Sequence, residues 1–218
     1  MILLKFKKLK FVVILILILV VGCTKVNPAE DIYHHLEKAV SLEAAFEQQQ
    51  EPLSKAENDE YELYDQILGL ADLEEIKVLA VKAEELAVSR KSMIETERDS
   101  IDEAFQEFSQ ITPIIETIEN EELLKIANEL VAIMDKRYQT YMELYNEYKV
   151  AIDLDLELYK LIQKEDLTID ELEAQHEKVN SSYEMVNGFK DQFNQYTIQY
   201  NDLKRNFYDL ADLEVVYN

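Results

Sequence analysis

The residue with the plainest chemistry is a lone cysteine. Cys23 follows Val20-Val21-Gly22, which closes an apolar run of 11 residues, Phe11 to Val21, preceded by Lys5, Lys7, Lys8 and Lys10. The lysines hold to the cytoplasmic side while the apolar segment enters the bilayer. As a helix the run spans about 16 Å, short of the roughly 20 residues that cross a membrane. It therefore reads as a cleavable secretion signal, with an uncleaved signal anchor as the alternative. Gly22 places no side chain in the way of cleavage before Cys23, and the thiol can carry a lipid. Residues 1–22 are expected to be a lipoprotein signal peptide. Cys23 is expected to be the lipid-attachment residue, and 23–27 a short tether. Two acyl chains, at about 0.8 kcal/mol per buried CH2, anchor a protein where one holds it only marginally.

Other residue types suggest recognition rather than reaction. Tyr138, Tyr141, Tyr145, Tyr148 and Tyr159 share one helical face. Their rings can stack on sugars or form a seam between helices. A buried hydroxyl needs a partner, so they are expected near the seam's edge, reaching water or Asn and Arg groups. Asn180, Asn187, Asn194 and Asn201 recur every seven residues, about 100° from the neighbouring apolar row. They form either an amide ladder for glycan or peptide, or a solvated or helix-bridging stripe. Candidate binding residues are thus Tyr138, Tyr145, Tyr148, Asn180, Asn187, Asn194 and Asn201. Asp31-x-x-His34 and Glu173-x-x-His176 have the spacing of carboxylate di-metal bundles. Both lie near the starts of helices expected to be antiparallel, so they sit roughly 60 Å apart, and no metal site is assigned. No Gly-rich phosphate loop or EF-hand spacing occurs. With Cys23 lipidated no thiol remains as a nucleophile, so no catalytic residue and no cofactor are assigned.

The elements that must position these residues are helices. The chain has 218 residues with three Gly and three Pro, too few breakers for a sheet-rich domain. Asn27-Pro28 opens the first helix, with Glu30 and Asp31 in its first turn. Glu51-Pro52 is expected to kink or break it, and Gly69 to cap it. The second helix is expected from about Asp72 to Ile111, its apolar pattern interrupted by Arg90 and Glu97, with Pro113 near its end. Asn120-Glu121-Glu122 starts a third helix with sustained heptad spacing from Ala127 to Ile162, only Asp155 out of character. Thr168 and Glu171 form a capping box for the last, which carries Leu172, Val179, Val186, Phe193, Tyr200 and Phe207 every seven residues. Gly188 interrupts its interior. Four helices of about 40 residues, each about 60 Å long, with short connections predict an all-α, elongated up-and-down bundle of about four long helices with coiled-coil-like packing. A three-helix bundle with a kinked arm is the alternative. Residues 28–218 are expected to form this single domain.

The net charge is −23. Residues 1–22 hold four lysines and no acid, so the remainder carries 18 basic and 45 acidic residues, or −27. Such charge excludes nucleic acid as a partner and repels anionic headgroups. One cysteine allows no internal disulfide.

From Lys136 onward the chain resembles the YkyA-type cell-wall-binding lipoproteins of Gram-positive bacteria. Lys136, Arg137, Tyr138, Tyr145, Tyr148, Glu157, Tyr159, Val179, Asn180, Tyr183, Phe193, Asn194, Thr197, Tyr200 and Asn201 carry the resemblance. The Pro28/Glu30/Tyr33 region and the lipobox-like Val20-Val21-Gly22-Cys23 extend it over nearly the whole chain. It implies an all-helical extracytoplasmic lipoprotein. The expectation is a non-enzymatic protein on the outer face of the cytoplasmic membrane, facing the cell wall. Its partners would be the membrane, through lipid at Cys23, and cell-wall material or an envelope protein. An adaptor or scaffold binding another extracytoplasmic protein is the alternative. Tether and rod together reach at most about 75 Å.

Overall fold

The computed structural model describes residues 27–213 and 215; the signal segment and Cys23 lie outside the described residues. Helix α1 is Pro28–Leu42 and α2 is Ala44–Leu68. Helix α3 is Leu73–Phe108, followed by a 3-10 turn, Ser109–Ile111, and the single-turn α4, Thr112–Ile115. Helix α5 is Glu121–Leu161 and α6 is Ile169–Leu210. No strand occurs among the described residues.

The caps form where the sequence has short polar side chains. Asn27 Oδ1 accepts from Ala29 N, and Pro28 occupies the first turn. Asp72 accepts from the amides of Glu74 and Glu75, and Asn120 from those of Glu122 and Leu123. Thr168 and Glu171 close a reciprocal capping box. Each satisfies amides that a helix start leaves without partners. Gly69 caps α2 with an ordinary right-handed φ of −88°.

The first helical arm breaks at a different place from the one expected. Helix α2 runs through Pro52, and the interruption falls at Glu43. Pro52 and Gln48 are both exposed, so the carbonyl that Pro52 cannot bond faces water, which makes the proline tolerable. At Glu43 the break is held by α3. Ser100 Oγ donates to Leu42 O at 2.6 Å and accepts from Phe46 N at 3.1 Å. One hydroxyl thus takes the place of a bond within the helix. Helix α3 also ends three residues earlier than expected, the chain tightening into the 3-10 turn before Pro113.

The long helices run up, down, up and down. Contacts such as His35–Glu107 and Gln50–Glu97 set α1 and α2 antiparallel to α3. Lys91–Asp153 and Tyr138–Asp102 do so for α3 and α5, and Ser182–Glu147 and Arg137–Thr197 for α5 and α6. Two apolar clusters fill the interior. The one nearer Pro28 joins Ile32 and Leu36 to Phe108, Leu130 and Phe207. The farther one joins Leu53 and Ile67 to Ile94, Ile152 and Phe193. Ala80, Ala83 and Ala87 are fully buried; their small side chains let α2 lie close against α3. Between the clusters, buried Arg137 binds both Glu43 oxygens at 2.7 Å and Thr197 at 2.9 Å.

The fourth seam, between the α1–α2 arm and α6, is spanned mainly by side chains. Tyr33 meets Tyr208, Phe46 meets Phe193 at 5.9 Å between ring centroids, and Tyr64 bonds His176. Between the last two bridges the bundle opens.

Candidate functional site: a tyrosine-lined cleft between α2 and α6

The opening is a cleft of about 600 Å³ lined by α2, α3, α5 and α6. Phe46–Phe193 closes one end and Tyr64–His176 the other, 18 residues along α2, or about 27 Å of helix.

Its floor is a charged network built from the residues that break the apolar patterns. Arg90 is 2% exposed. Its Nη1 donates to Glu60 at 2.7 Å and to Asp155 at 3.2 Å, and its Nη2 to the Tyr183 hydroxyl. The guanidinium also lies 5.3 Å from the Tyr148 ring centroid and 5.8 Å from that of Tyr183, within cation–π range. Tyr159 donates to Glu60 at 2.8 Å and Tyr148 to Glu57. Arg90 Nε has no hydrogen-bond partner.

One arginine serves two buried carboxylates, and the titration behaviour follows. Burial pushes Glu60 and Asp155 above the usual carboxylate range; Arg90 pulls Glu60 back only in part, as the Tyr183 hydroxyl and then Arg90 do Asp155. Burial also works against the Arg90 charge, but Tyr148, Tyr183, Glu60 and Asp155 more than offset it, and its pKa moves up. Glu97 accepts from Gln50 Nε2 at 2.8 Å. Burial, with Glu57 nearby, pushes Glu97 up from 4.5 to about 7, against the Gln50 bond. The lining thus holds Glu57, Glu60, Glu97 and Asp155 against Arg90 and Lys190. Its excess of negative charge suits neutral or cationic ligands and repels anions.

Of the residues singled out from sequence, Tyr145, Tyr148, Asn180, Asn187 and Asn194 all line the cleft. The tyrosines lie in its wall and the three asparagines, all exposed, along its α6 side. Tyr138 is elsewhere. It stacks on Phe105 at 4.0 Å and donates to Asp102 at 2.6 Å. Asn201, one heptad farther on, lies past the Phe46–Phe193 closure and does not line the cleft. The tyrosine hydroxyls reach carboxylates, Asp102 for Tyr138, Glu57 for Tyr148 and Glu60 for Tyr159, and of the expected Asn and Arg groups Tyr148 meets Arg90. Sequence reasoning assigned no role to Arg90, Glu97 or Asp155, although each stood out as a charge on an apolar face. Glu60 gave no such signal. Of the histidines, His35 bonds Glu107 at 2.7 Å and His176 bonds Tyr64. Among the described residues no three His, Cys, Asp or Glu side chains are placed to hold a metal ion.

Comparison with known proteins places this architecture. The model of the YkyA family, described as "Putative cell-wall binding lipoprotein", matches residues 27–210. The chain belongs to the YkyA family. A relative from Bacillus subtilis (strain 168), "Uncharacterized lipoprotein YkyA", is 34% identical over 200 residues, covering 91% of this chain and 90% of the relative. The fold also matches a crystal structure of a conserved protein of unknown function from Staphylococcus aureus. That match has a TM-score of 0.75 at 15% identity and covers 82% of this chain and 91% of the other. At that identity it supports the all-helical architecture alone. The matched span of the YkyA family model takes in every cleft-lining residue.

Proposed function

We propose that this chain is a non-catalytic lipoprotein tethered through Cys23 to the outer face of the cytoplasmic membrane, and that the α2–α6 cleft holds cell-wall material. On this reading residues 1–22 are the signal peptide, 23–27 the tether and 28–218 one helical domain. The basic, short-apolar, glycine-cysteine start supports the anchor. The family description supports wall association. The cleft carries the binding role: tyrosine walls offer faces for sugar or peptide groups, and Asn180, Asn187 and Asn194 offer donors and acceptors along one side. The buried carboxylates are engaged by Arg90, Gln50 and the Tyr159 and Tyr183 hydroxyls, an arrangement suited to holding a shape. Along the helices the cleft begins 18 residues and ends 36 residues after Pro28, about 27 to 54 Å from the tethered end. The site would thus stand clear of the headgroups.

Two measurements test this. Cells given a labelled fatty acid should label the wild-type protein and not a Cys23→Ala variant. The purified protein should co-sediment with isolated walls, with or without calcium; failure under both conditions overturns wall binding. The adaptor reading has one observation in its favour. Val78, Val81 and Val88 are each about half exposed on the outer face of α3, away from the cleft, where a partner protein could dock.

A further inference from the structure

Resting on the assignment of the cleft as the wall-binding site, we infer that it recognises an amine cation, with the ammonium group seated at Glu57 and Glu97. Three features point there.

The first is charge. Glu60 and Asp155 share Arg90, whereas Glu97 is 5% exposed and is held by the neutral amide of Gln50, and Glu57 by the neutral hydroxyl of Tyr148. Glu57 on α2 is exposed and Glu97 on α3 is buried; both line the cleft with neutral partners, which makes a site for a positive charge. The buried Glu97 charge beside that of Glu57 is unfavourable without one.

The second is the balance of the lining. Arg90 is taken up by Glu60 and Asp155, so among the lining lysines and arginines Lys190 alone is left to set against Glu57 and Glu97.

The third is the wall. Tyr61, 72% exposed, lines the same cleft, and a tyrosine face favours an organic cation over a hydrated metal ion; the Tyr148 ring already carries Arg90 and the Tyr145 ring Arg98 and Lys149. Among the described residues no trio of ligating side chains favours a metal instead. The excess negative charge also excludes phosphate-bearing ligands.

The experiment compares three preparations of enzymatically solubilised wall fragments, with binding measured calorimetrically on the full-length protein in detergent. Native fragments should bind. Fragments with acetylated amines, which are neutral, should bind at least tenfold more weakly. Reductively methylated fragments, which keep the charge, should retain most of the affinity. Glu97→Gln should weaken binding of native fragments about tenfold while the protein's melting temperature does not fall. Equal binding of native and acetylated fragments overturns the amine inference and leaves the cleft as the wall site. Undiminished binding by Glu97→Gln likewise overturns it. No binding by any preparation overturns both.

Discussion

Arg90 occupies a position where the α3 pattern calls for an aliphatic side chain, and the fold is built around that exception. Removing one member of a buried ion cluster strands the others, at about 3–5 kcal/mol, whereas replacing the whole cluster with apolar groups is often neutral. Arg90→Met alone should therefore destabilise by that amount in urea unfolding, and adding Glu60→Met and Asp155→Leu should recover most of the loss. Glu97 gives a pH signature of defined sign. Its carboxyl titrates at about 7 in the folded protein against 4.5 as its ordinary value. Below about pH 4.5 both states are protonated and burial costs little; as pH rises through 7 the folded state must bury a charge and stability is lost. Glu97→Gln removes that loss. It should stabilise the protein by about 3 kcal/mol at pH 8, and much less at pH 5, in urea titrations at the two pH values.

At the scale of the elements, the helices were legible because their signals are local. Asn27-Pro28, Asn120 and Thr168 with Glu171 all cap as read, and the helix expected from about Asp72 starts with Asp72 as its cap. The break at Glu43 was not legible, since its cause is Ser100, more than fifty residues away. Pro52, the local signal, proved harmless because its side of α2 faces water. The cleft was legible in half. The asparagine row and Tyr145 and Tyr148 stood out through heptad spacing, but that spacing runs the length of a helix. It does not say where the facing helix stands away, so Tyr138 and Asn201 were grouped with residues they do not join. Two substitutions probe the elements. Ser100→Ala leaves Leu42 O and Phe46 N without their shared partner and should cost about 1–3 kcal/mol. A methyl added at Gly188 meets nothing within 4 Å, so Gly188→Ala should stabilise α6 by about 0.5–1 kcal/mol. Both are read from urea unfolding midpoints.

The whole molecule is a strongly acidic bundle, closed on three seams and open on part of the fourth. A net charge of −27 beyond residue 22 repels itself, and salt screens that repulsion over about 10 Å at 0.1 M. The melting temperature should therefore rise when salt is raised from about 10 mM to about 150 mM; no change would mean that the acidic groups are already locally balanced. The same charge restricts what the open seam can hold; on the proposed reading, recognition falls to tyrosine rings, asparagine amides and the cleft carboxylates. The most direct test of the cleft as the wall-binding site is an NMR titration of selectively 15N-asparagine-labelled protein with solubilised wall fragments. The side-chain amides of Asn180, Asn187 and Asn194 should shift together while that of Asn201 stays in place. Shifts confined to asparagines outside the cleft, or none at saturating fragment, would contradict it.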